Sequence, residues 1–198
     1  MKLYYAPGAC SLSPHIVASE AGIPIELEKV DLKDHKTASG EDFYTINPKG
    51  YVPALQLDDG SILSEGPAIV QYLADQKPGS HLIPANGFAR YKVVEWLSFI
   101  NSEIHKTFSP LFGPASDDVK KAAMEKIAKR FDYVNGELAG KHFLTGDTFT
   151  VADAYLFVMI TWAHHMKIAL PDKLSAFFAR VAQRPKVHEA MKAEGLVK

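Results

Sequence analysis

The stretch KPGSHLIPANG, residues 77–87, separates two halves of this 198-residue chain that obey different hydrophobic periods. Before it, short apolar runs alternate with helical patterns. After it, no strand signal remains. A chain this long can bury one full core or two small ones. The change of period argues for two domains, residues 1–78 and 88–198, joined by a linker at 79–87. The expected class is α/β followed by all-α.

In the first half, KLYYA (2–6) reads as a buried strand. Ser11 or Ser13 with Pro14 opens a helix that runs to Ala21 and stops at Gly22. IPIELEKVDL alternates as a second strand, and SGEDFYTIN is a short helix or irregular turn. VPALQL and SILS flank Asp58-Asp59-Gly60, a hairpin signal. SEGPAIVQYLADQ is then a helix with Ser64 as its expected N-cap and Pro67 in its first turn. The order is βαβ then ββα, giving a mixed sheet of four strands.

The second half reads as a helical bundle. Val93, Leu97, Ile100, Ile104 and Phe108 form one stripe in a long helix over 88–112. Val119, Ala123, Ile127, Phe131, Val134 and Leu138 form another over 116–139. DTFTVADAYLFVMITWAHHM is too apolar for a surface helix and reads as central, with Thr150 and Asp153 as a capping-box pair at its start. Two short helices, around 173–183 and 185–194, follow.

Composition excludes several classes. Twenty-two basic residues against 23 acidic ones, with no block of one sign, leave no basic footprint for nucleic acid. The longest apolar run, 154–163, is too short to span a bilayer, and the first residues lack a signal-peptide core. One cysteine cannot form an internal disulfide, which fits a reducing compartment, so a cytoplasmic protein is expected. The eight histidines show no ligand spacing, and no metal site, G-x-G-x-x-G or P-loop is expected.

That lone cysteine, Cys10, sits at a strand-to-helix turn, where unpaired N–H groups and the helix dipole favour thiolate. It is a reactive sulfur or a small residue filling space beside the helix. Pro53 marks an edge or entrance; a cis Val52–Pro53 bond presents Val52's N–H and C=O to a ligand, while a trans bond merely starts an edge strand. Glu65 and Gly66 at a helix N-terminus suit an ammonium and a carboxylate, or simply stabilise the helix start. Tyr91, Glu95, Ser98, Ser102, His105 and Ser109 make a small, polar helix face, either a groove lining or a solvated surface. Of Tyr4 and Tyr5, adjacent in a strand, one must face the core.

Together KLYYAPGACSLSPH, INPKGYVPAL, SEGPAIVQYLAD, EWLSFINSEIHKTFSPLF and FTVADAYLF, in that order and spacing, resemble a bacterial beta-class glutathione S-transferase over essentially the whole chain. The resemblance implies a thioredoxin-like N-terminal domain, a helical C-terminal domain and a cytoplasmic homodimer. Its co-substrate would be glutathione, with no metal, and its partner a small hydrophobic electrophile. It implies that Ala9, Cys10 and Ser11 lie at the glutathione sulfur, with Cys10 able to hold it as a mixed disulfide. Val52, ahead of a cis Pro53, would pair with the cysteinyl backbone, and Glu65 and Gly66 would bind the γ-glutamyl end. His105 would lie near the sulfur as a catalytic residue with Cys10. Ser98, Ser102, Glu103 and Ile104 would line the same groove, and Phe108, Phe112, Trp162 and His165 the apolar pocket.

Two positions depart from the family pattern. His35, flanked by Lys33 and Lys36, stands where a lysine usually meets the glycyl carboxylate, and Ser98 replaces a common asparagine. The implied chemistry is attack of the glutathione thiolate on an electrophile, with Cys10 S–H, Ser11 O–H or His105 as donors to that anion. The alternatives are thiol-disulfide exchange or peroxide reduction through a Cys10–glutathione disulfide, and non-catalytic carriage of a hydrophobic ligand.

Overall fold

A strand with large apolar residues at successive positions has to be covered on both faces. Lys2–Tyr5 (β1) is such a strand, and the computed structural model, which describes residues 1–198, buries its two central residues, Leu3 and Tyr4. With Glu26–Asp31 (β2), Lys36–Thr37 (β3), Ala54–Gln56 (β4) and Ile62–Ser64 (β5) it forms one sheet in the order β3-β2-β1-β4-β5. β1 runs parallel to β2 and antiparallel to β4, so Leu3 lies opposite both Leu27 and Leu55. Tyr4 packs with Ala6, Val30, Phe43, Val52 and Ala54, Phe43 being supplied by the single turn Phe43–Ile46 (α2). Leu3 points to the other face and is also fully buried. Leu12–Ala21 (α1) and Gly66–Gln76 (α3) pack on each other, and α3 packs against β4 and β5.

Two local readings change. The sheet has five strands and not four, because β3 pairs antiparallel with β2 over only two residues, too few to show alternation. The N-cap of α3 is Glu65 and not Ser64, which closes β5 instead. Gly22 ends α1 as expected, in the left-handed conformation.

The chain divides into two compact units, Met1–Ala85 with Gln183–Lys198, and Asn86–Ala182. This differs from a helical domain running to residue 198. The reason lies in α1, whose residues Leu12 to Ala18 are all buried and therefore need cover beyond α3. Pro185–Ala193 (α9) packs on α1 and buries Val187 and Ala190. Just ahead of it, Arg184 forks onto both carboxylate oxygens of Glu20, at 2.7 and 2.8 Å.

In the second unit, Gly87–Phe99 (α4) continues through a wide π turn at Ile100–Ile104 and a 3₁₀ turn at His105–Phe108 into Ser109–Phe112 (α5), where a single helix was expected. The stripe survives: Val93, Leu97, Ile100, Ile104 and Phe108 are all buried. Its last three members are spaced by four, which overshoots a 3.6-residue turn, and the wider turn absorbs the excess. Asp117–Glu137 (α6) buries Ala123, Ile127, Phe131 and Val134, whereas Val119 in its first turn is exposed, contrary to its place in the expected stripe. Val151–His165 (α7) is buried from Val151 to Ile160. Asp172–Ala182 (α8) buries Leu174, Phe177 and Val181. No helix is long and apolar enough to cross a membrane.

The capping box forms at the start of α7. Asp153 accepts from Thr150 N–H at 2.8 Å, Thr150 Oγ1 at 2.7 Å and Leu144 N–H at 2.8 Å. Burial pushes its carboxyl up to about 6, against the pull of those donors. Replacing it strands buried N–H groups. Asp153→Ala is therefore expected to lower unfolding free energy by about 2–4 kcal/mol at pH 7.5 in urea titrations, and a loss below ~0.5 kcal/mol would contradict this reading.

Candidate functional site

The sheet topology brings the first unit's candidates together. Because β4 is antiparallel to β1, the C-terminal end of β1 lies beside the N-terminal end of β4, with Tyr4 opposite Ala54. β5 is antiparallel to β4 in turn, placing Ser64 opposite Ala54 as well. Three loops distant in sequence, carrying Cys10, Val52-Pro53 and Glu65-Gly66, thus converge at one end of the sheet.

The peptide bond Val52–Pro53 is cis. The Cys10 thiol donates to the Val52 carbonyl, with Sγ 3.4 Å from the oxygen. A Cβ on Gly66 would lie 3.9 Å from Pro53 Cγ, in ordinary contact. Glu65 takes a left-handed backbone, φ +72°, and its Oε1 lies 2.5 Å from Lys49 Nζ, which also donates to Ser64 Oγ at 3.0 Å. Lys49 was not picked out from the sequence, although it stands within INPKGYVPAL.

The sulfur is not the thiolate expected at a helix start. Burial pushes the Cys10 thiol up to about 12 and the Glu65 carboxylate adds to the rise, while the backbone N–H groups of Cys10 and Ser11 pull weakly the other way. Ser11 changes role too. Its hydroxyl donates to the Ala6 carbonyl and accepts from the Ala6 N–H, both at 3.2 Å, and is fully buried. It closes the β1–α1 turn and is unavailable as a donor to a ligand anion. Ala9 packs against the core cluster beside it. Tyr4 is the core residue of its pair, bonded through its hydroxyl to Gln56 Oε1 at 3.1 Å.

His35 is held apart in a left-handed conformation, φ +51°, with its ring 4.6 Å from that of Tyr44. Tyr44 in turn lies so close over Gly50 that any side chain there would collide with it. Lys33 and Lys36 are exposed.

The second unit carries the other candidates. The Tyr155 hydroxyl donates its one hydrogen to Asn101 Oδ1 at 2.9 Å, so its contact with His105 Nδ1, at 2.5 Å, makes that nitrogen the donor. Tyr155 and Asn101 escaped sequence reading, since pairing residues 50 apart needs the folded bundle. Trp162 is the hub of a ring group, with centroids 5.0 Å from His105, 5.5 Å from Phe108 and 4.9 Å from Phe112. Phe112 is largely exposed, whereas Phe108 is fully buried and forms the floor of the group, not its lining. His165 is exposed and stands outside the ring group. Ile104 is likewise a core residue and lines no groove. Glu103 Oε2 accepts from Arg130 Nε and Nη2 at 3.1 and 2.7 Å. Ser98 and Ser102 lie on the exposed face, Ser98 bonding back to the Val94 carbonyl.

Comparison with known proteins agrees with this arrangement. The family model for the glutathione S-transferase N-terminal domain matches residues 8–76, and that for the C-terminal domain matches residues 99–185. The chain is 46% identical to glutathione S-transferase GstA of Escherichia coli O157:H7, over 99% of this chain and all of that one. A ternary complex of BphK, a bacterial glutathione S-transferase, is 55% identical with a TM-score of 0.97, covering 99% of this chain and all of the other. A sphingomonad glutathione S-transferase complexed with glutathione is 49% identical with a TM-score of 0.94 over both whole chains. The chain belongs to the bacterial glutathione S-transferase family.

Proposed function

We propose that this protein conjugates the thiolate of glutathione to small hydrophobic electrophiles. The observation that carries the reading is the convergence of three loops that sets the Cys10 thiol against the Val52 carbonyl, at the end of the sheet where α3 begins. An extended peptide pairing with Val52 brings its own cysteinyl sulfur beside Cys10. Its γ-glutamyl carboxylate meets the N-terminus of α3 at Gly66, and its ammonium meets Glu65. Lys49 must give way for that. The Lys49–Glu65 pair is half-exposed on both sides, so opening it costs at most ~1 kcal/mol.

Cys10 then acts as a neutral donor. A thiol pushed to about 12 keeps its proton at neutral pH and can turn it from the Val52 carbonyl to the glutathione sulfur, favouring that sulfur's anion. The glutathione thiol loses its proton to solvent, its sulfur lone pair forms the C–S bond, and the leaving group departs with the electron pair of the bond it breaks. The ring group around Trp162 offers apolar surface for the electrophile, with Phe112 as its exposed member. Exchange through a Cys10–glutathione disulfide is the less favoured reading, because burial pushes the Cys10 thiol up and holds it in the protonated, poorly nucleophilic form. The family resemblance also supports a homodimer. Phe88 and Tyr91 stand 79% and 71% exposed on α4, in the same helical stripe as Glu95, Ser98 and Ser102, a face suited to a second copy.

Two outcomes follow. Cys10→Ala should lower conjugation of a chloronitrobenzene substrate by less than about tenfold and remove any thiol-disulfide exchange; loss of conjugation in a folded variant would contradict a merely assisting role for Cys10. Light scattering should give twice the 21.8 kDa chain mass for the wild type, and the double variant Phe88→Arg, Tyr91→Arg should give one chain mass. A dimer unaffected by both arginines would move the interface elsewhere.

A further inference from the structure

The turn that carries Cys10 is held from behind by a residue near the other end of the chain. Glu194, the residue after α9, buries its carboxylate completely. One oxygen lies 2.9 Å from His15 Nδ1 on α1, and the other accepts the Gly8 N–H at 3.0 Å. Gly8 has φ +70° and lies two residues before Cys10. A Cβ on Gly8 would approach Leu196 Cδ2 to 3.3 Å, so the segment beyond α9 lies directly against this turn.

An anion buried this deeply is stable only with donors in place, and here they are a backbone N–H of the turn and a ring of the helix that follows it. The contact is therefore stiff: any shift of the turn strands a buried charge. On the helix side the turn is fixed by the Ser11 hydroxyl through both polar groups of Ala6. Glu194 supplies the anchor at Gly8, in the stretch between Ala6 and Cys10.

We propose that Glu194 is a positioning residue for Cys10, holding the residue 7–9 turn so that the half-buried sulfur stays against the Val52 carbonyl. It touches neither substrate nor sulfur and acts through Gly8 and His15. The proposal deepens the role given to Cys10 above, but it concerns the unliganded sulfur and is testable without glutathione.

Alkylation of Cys10 by iodoacetamide reads the sulfur's accessibility and ionisation together. In the wild type the rate should climb about tenfold per pH unit through pH 10 without levelling, as a thiol near 12 requires. In Glu194→Ala the turn relaxes, and the rate at pH 8 should rise at least tenfold, with a plateau moving toward the ordinary thiol range. Glu194→Gln keeps an acceptor for the Gly8 N–H and should restore the wild-type rate to within about threefold. Arg184→Ala removes the fork onto Glu20 at the far end of α1 and serves as the control: it should lower stability yet leave the alkylation rate within twofold. A wild-type rate in Glu194→Ala, or equal acceleration in Arg184→Ala, overturns the proposal. Should Glu194→Ala not fold, amide exchange in the wild type decides: a Gly8 N–H protected at least 10³-fold supports the anchor, and an unprotected one overturns it.

Discussion

The structure of the site depends on one contact, the Cys10 thiol against the Val52 carbonyl. Forty-two residues separate the two, and nothing local brings them together. What does is the antiparallel pairing of β1 with β4, which sets the exit of one strand beside the entrance of the other. The same logic adds Glu65 through β5. Sheet order thus brings three turns together: the turn closed by the Ser11–Ala6 ring, the turn with the cis bond before Pro53, and the turn at left-handed Glu65.

The electrostatics follow from burial rather than from the helix dipole. A thiol at a helix start is ordinarily easier to ionise, but here desolvation and a nearby carboxylate outweigh the N–H groups of Cys10 and Ser11. A sulfur that keeps its proton is a poor nucleophile and a usable donor. In the proposed reading, a second sulfur's anion forms where this one retains an S–H bond to give. In the second unit, the Tyr155 hydroxyl gives its one hydrogen to Asn101 and so makes His105 Nδ1 the donor in their contact.

Much of this was legible in the sequence because turns and periods are local. Gly22, the Asp58-Asp59-Gly60 hairpin and the Thr150/Asp153 box all formed where their residue types demanded. The stripe from Val93 to Phe108 was read correctly as core, while the π turn beneath it was not, since i+4 spacing looks the same in either helix. What was lost needs tertiary information. β3 is two residues long and carries no period. The return of α9 to the first unit is invisible because Val187 and Ala190 would look the same against any partner. Ser11 and Ile104 had the right chemistry or neighbourhood for a ligand, yet the fold turned one into a turn-closing bond and the other into core. The sign of the Cys10 shift failed for the same reason, because burial is a property of the folded loop.

The central claim is that a bound glutathione thiolate is stabilised beside a protonated Cys10. Ultraviolet titration of the thiolate band of bound glutathione, in wild type and Cys10→Ala, tests it most directly. The account predicts that the bound thiol ionises at least one pH unit below its free range of about 8.5 and that Cys10→Ala returns part of that shift. A bound thiol that titrates as it does in free solution, equally in both proteins, would contradict it.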